Sequence, residues 1–68
     1  MKKFAIKLTK GDEYVILDVC DTKEAACAVA KEMNKAAGVN GLLSVIEAEF
    51  DESNNMIGNG YKLHEIIR

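Results

Sequence analysis

The sequence predicts an α+β fold of order ββαββ: a four-stranded, mostly antiparallel sheet with one helix on one face. Three observations carry this. Four segments are rich in apolar residues at alternate positions, the period changes from 2 to 3.6 midway, and Gly, Asp and Asn clusters separate the segments. With 68 residues, no proline and no repeat or low-complexity tract, residues 1–68 read as one domain.

The first strand is "KKFAIKLT", with Phe4, Ile6 and Leu8 on one side and Lys3, Ala5, Lys7 and Thr9 on the other. "KGDE" has the composition and length of a hairpin turn. "YVILDVC" follows, rich in β-branched residues, with Val15, Leu17 and Val19 expected on one face and Tyr14, Ile16, Asp18 and Cys20 on the other.

"DTKEAACAVAKEMNKAAG" carries the helical period. Asp21 or Thr22 can cap its first turn, Glu24 stands three residues after Asp21 as in a capping box, and Gly38 suits the position past the end. Ala26, Val29, Ala30, Met33 and Ala37 form the apolar arc, and Lys23, Glu24, Lys31, Asn34 and Lys35 lie opposite. An arc made mostly of alanine lets the helix lie close to the sheet.

In "LLSVIEAEF", Ile46, Ala48 and Phe50 alternate with Val45, Glu47 and Glu49. The last strand, "YKLHEIIR", sets Tyr61, Leu63, Glu65 and Ile67 against Lys62, His64 and Ile66. A right-handed crossover that skips the first strand gives the order 2-1-3-4 with every neighbour antiparallel. That order places the basic first strand beside the acidic third. Lys3 and Lys7 would then face Glu47 and Glu49 as cross-strand pairs.

Composition excludes several classes of function. The net charge of −2 argues against a general nucleic-acid binder, and no apolar run reaches the roughly 20 residues of a bilayer span. Two cysteines and a start without a secretory apolar core point to the cytoplasm and to thiols rather than a disulfide.

No motif supplies chemistry, cofactor or metal. In "DESNNMIGNG" a calcium-loop frame starting at Asp51 fails at Met56 and Lys62, a dinucleotide frame on Gly58 and Gly60 fails at Leu63, and no Gly-Lys-Ser/Thr follows for a phosphate loop. The stretch reads as a hairpin connection. Cys20 and Cys27 lack zinc-ligand or redox-pair spacing, and a nucleophilic Cys27 would need His64, the only histidine, as its base. No small-molecule ligand is evident, and the chain reads as a non-enzyme.

The informative feature is the sheet face away from the helix. Tyr14, Ile16, Val45 and Ile66 are expected there, with His64, Lys3, Lys7 and Lys62 among them, and an apolar patch on so small a domain implies contact with another chain. The expected function is therefore a protein–protein interaction module, forming a homodimer or docking a partner through that face. An alternative uses the acidic run Glu47, Glu49, Asp51 and Glu52: an inhibitor or regulator, for example of mobile-element origin, set against the basic surface of a host nucleic-acid enzyme.

Overall fold

The computed structural model describes residues 1–36 and 40–67. It contains β1 (Lys2–Lys10), β2 (Glu13–Cys20), α1 (Lys23–Lys35), β3 (Leu42–Glu49) and β4 (Lys62–Ile67). The four strands form one antiparallel sheet in the order β2-β1-β3-β4, as expected. Among the described residues no helix is long and apolar enough to cross a membrane.

Thr22 caps α1, its hydroxyl accepting from the Ala25 amide at 3.1 Å, so Asp21 and Glu24 do not form the expected box. The helix is closed at Ala36, whose amide donates to Glu32 and Met33; the cap expected at Gly38 lies outside the described residues. Before β3, Gly41 takes φ +143°, and a Cβ there would lie 2.6 Å from the Thr9 carbonyl oxygen. Only glycine lets the chain pass so close to β1.

The sheet carries a core on each side. Under the helix, Ile6, Leu43, Val45 and Ile67 pack with the fully buried Ala26 and Ala30. On the opposite face, Ala5, Ile46, Ala48 and Phe50 are buried together, with Ile16, Val19 and Met56 against them. From Leu43 to Ile46 β3 is therefore buried on both faces.

This two-sided burial corrects the expected phase of β3. Directly opposed residues point to the same face, and Val45 opposes Ile6 while Ala48 opposes Lys3. Val45 lies under the helix, wholly buried, not on the open face. Ile46, Ala48 and Phe50 take the open face instead. Leu43 and Val45 are as apolar as Ile46 and Ala48, so alternation in this part of β3 leaves the choice of face undetermined, and the phase that also carries Glu47 and Glu49 is the one the helix covers.

Bulges shift the phases of both edge strands. In β2 the register slips at Leu17, which leaves Tyr14 and Ile16 on the open face but moves Val19 there and Cys20 to the helix side. In β4 it slips at His64: Ile66 keeps the open face, Leu63 joins it, and His64 with Lys62 turns to the helix side.

The expected reason for placing β1 beside β3 also changes. Lys2 opposes Glu49 and Phe4 opposes Glu47, so Lys3 and Lys7 do not meet those acids. The adjacency rests chiefly on apolar contact on both faces, with Lys2 opposite Glu49 the one Lys–Glu pair in register.

Candidate functional site

The open face is built in part by the connector between β3 and β4. Asp51 Oδ1 accepts from the amides of Ser53 and Asn55, both at 2.9 Å, and the Asp51 and Asn55 backbones also pair. Asn54 takes φ +63° at the turn, a conformation asparagine tolerates. The tight turn brings Met56 into a bridge with Phe50 and lets Lys3 Nζ donate to Asn54 Oδ1 at 2.9 Å. Gly58, at φ +74°, then redirects the chain towards β4.

The sequence left this device unseen, because it treats the connector as a link between strands. The turn was legible in its Asp, Ser and Asn residues; that Met56 would cover the sheet was not. Between the turn and the β2 bulge runs a cleft of about 410 Å³, floored by Ile16, Val19, Phe50 and Met56 with Asp18, Asn54 and Asn55 at its rim.

Past the connector, Tyr61 lies on the open face, where the sequence had not placed it. Its hydroxyl accepts from Lys7 Nζ at 2.5 Å, and its ring lies edge-on to Tyr14 with centroids 6.2 Å apart. The Lys7 ammonium stands 4.3 Å from the Tyr61 centroid and 5.0 Å from that of Tyr14. Both distances are within cation–π range. Beside this cluster Leu63 is 50% exposed, Leu42 45%, Tyr61 and Tyr14 41% each, and Ile66 37%. Of the four residues expected to form the contact, Tyr14, Ile16 and Ile66 share the open face; Val45 does not.

The expected acidic surface is divided by internal contacts. Glu47 Oε1 lies 2.9 Å from His64 Nε2 on the helix side, Glu49 Oε2 lies 2.8 Å from the Met1 nitrogen, and Asp51 is taken up by its turn. Glu52 remains exposed beside that turn. The His64 bond holds the Glu47 carboxyl below the ordinary carboxylate value.

Cys27 and His64 do not meet as nucleophile and base. The thiol donates to Glu65 Oε2 at 2.9 Å, and His64 is turned to Glu47 with Phe4 against its ring, 5.3 Å between centroids. Burial first, then the bond to Glu65, pushes the Cys27 thiol above its usual value. Burial first, then Asp18 and Asp21, does the same at Cys20. Raised values disfavour the thiolate needed for attack or metal binding. Among the described residues no group of three or more His, Cys, Asp or Glu is placed to hold a metal ion.

The fold and this face together define a small ββαββ domain of the α+β class. No family model matches the chain, and neither a curated protein nor a solved structure does.

Proposed function

We propose that the protein is a non-catalytic protein–protein interaction module that works through the open face of its sheet, pairing with a second copy or docking another protein. The observation that supports this is the grouping of Leu42, Tyr61, Leu63 and Ile66, each more than a third exposed, on the face the helix leaves uncovered. Apolar surface of this kind gains free energy when a partner removes it from water, roughly 25 cal/mol per Å². Both edge strands carry bulges, which blunt edge-to-edge pairing and so favour the face over the edges.

The test is sedimentation equilibrium and partner capture with Leu63→Glu and Ile66→Glu, using Val15→Glu as control. Val15 opposes Leu8 on the helix-side phase and is 54% exposed. Loss of association in the two open-face variants alone upholds the proposal; association that survives in both ends it. Binding that survives Leu63→Glu yet collapses with added salt assigns the function to the acidic surface around Glu47, Glu49, Asp51 and Glu52 instead.

A further inference from the structure

The open face has a charge of its own. Every strand position that the register assigns to it is apolar, a hydroxyl residue, or one of Lys3 and Lys7; none is Asp or Glu. A protein of net charge −2 thus presents a face with two cations and no strand acid. Lys3 is occupied, with Asn54 Oδ1 at 2.9 Å and Asp21 Oδ1 at 3.9 Å.

Lys7 is different. Among the described residues no carboxylate lies within 4.0 Å of its ammonium. Tyr61 and Tyr14 hold the ammonium on the face by ring contact, and Tyr61 accepts one of its three N–H donors. It is a half-buried cation, fixed in position, beside Leu63 and Ile66.

We infer that the occupant of this face is a protein segment that sets one carboxylate, from Asp or Glu, against Lys7 and apolar side chains against Leu63 and Ile66. The inference rests on the open-face reading and selects among its partners. A second copy fits poorly: the strand positions around Lys7 carry no acid, so two such faces packed symmetrically about Leu63 and Ile66 would leave both Lys7 ammoniums desolvated without a strand counter-charge, which is costly. A nucleic acid fits poorly as well: the flank of Leu42, Leu63 and Ile66 is aliphatic, the rings of Tyr14 and Tyr61 are engaged by the Lys7 ammonium, and among the described residues of this face Lys7 is the one cation with no carboxylate partner. A carboxylate on an apolar segment satisfies both halves of the face. Its pairing with Lys7 would be shielded from water by the flanking apolar contacts, where charge complementarity contributes more than at an exposed rim.

The experiment is selection from a displayed library of random 12-residue peptides on the immobilised full chain, run in parallel on the wild type, Lys7→Glu and Leu63→Glu. The wild type is expected to enrich peptides with Asp or Glu among apolar residues, and Lys7→Glu to enrich Lys or Arg at the same place. Leu63→Glu should enrich neither. A synthesised wild-type-selected peptide should bind Lys7→Met at least about tenfold more weakly than the wild type; Lys7→Met keeps the aliphatic stem and guards against misfolding of the charge reversal.

Peptides that depend on Leu63 but carry no acidic preference overturn the inference and leave the open-face reading standing. So does a dimer abolished by Leu63→Glu, or competition for the face by a 12-residue oligo-uridine strand. No enrichment, or enrichment indifferent to Leu63→Glu, overturns the inference; if association also survives Leu63→Glu and Ile66→Glu, both readings fall together.

Discussion

Phe50 pairs with Met56 in an isolated antiparallel bridge, and that contact folds the β3–β4 connector over the sheet face the helix does not reach. A domain of this size is short of buried apolar surface. The bridge supplies some by burying Phe50 to 1% exposure together with Ala5, Ile46 and Ala48.

The second core should therefore matter to stability as a helix-side core would. Phe50→Ala is expected to cost about 3–5 kcal/mol, as for a fully buried aromatic, and Met56→Ala less, since Met56 is only partly covered. Urea titration monitored by far-UV circular dichroism measures both. A cost below about 1 kcal/mol for Phe50→Ala would show that the connector does not seal this face.

Asp51 organises the turn with one carboxylate oxygen that accepts two amides. Asp51→Ala should cost about 1 kcal/mol, and Asp51→Asn, which keeps an acceptor, a smaller amount. Because that oxygen already serves the backbone, added calcium or EDTA should leave the melting temperature of the wild type unchanged. A rise with calcium would restore the ion-loop reading that Met56 and Lys62 exclude.

Local pattern carried the fold, and the partners of each face were hidden from it. The five elements, their order and the sheet order 2-1-3-4 followed from period, turn residues and chirality. Tyr14, Ile16 and Ile66 fell on the expected face because each precedes or follows its strand's bulge on the unaffected side. Val45 did not, because Leu43 and Val45 are as apolar as Ile46 and Ala48, and the choice between them depends on the helix and connector together. One extra residue in β4 reverses the faces expected for Leu63, Tyr61 and His64, and nothing in "YKLHEIIR" announces a bulge. Charge alone pairs Lys7 with an acid on β3; the observed register opposes it to Ser44.

The alanine arc of α1 sets its distance from the sheet. Ala26 and Ala30 are fully buried, whereas Ala28 is exposed on the same helix. Ala30→Leu should cost about 1–3 kcal/mol by overpacking against the sheet, while Ala28→Leu should stay within about 0.5 kcal/mol of the wild type. Thermal unfolding of the two variants side by side makes the comparison. Equal effects would mean that the helix does not lie tightly on β1 and β3.

The paired groups on the helix side predict how stability depends on pH. Glu47 is held below the ordinary carboxylate value of 4.5 chiefly by its bond to His64, and Glu65 chiefly by its bond from Cys27. A depressed folded-state value means that each contributes stability present above pH 4.5 and lost as pH falls through the folded value. The thiols act with the opposite sign. Cys20 and Cys27 are raised above 9.0, so their contribution is complete below that pH and is lost as pH rises through the folded values.

Urea midpoints measured across pH should accordingly form a plateau that falls away in acid below the carboxylate range and in alkali above 9.0. Glu47→Gln should flatten part of the acid fall and leave the alkaline side intact. Cys27→Ala should reduce the alkaline fall and, by removing the donor to Glu65, part of the acid fall too. His64 Nε2 can donate to Glu47 whether the ring is neutral or protonated, so His64→Ala should move the acid limb in the same direction as Glu47→Gln. An acid limb unchanged in both variants would mean that the Glu47–His64 bond does not hold in solution.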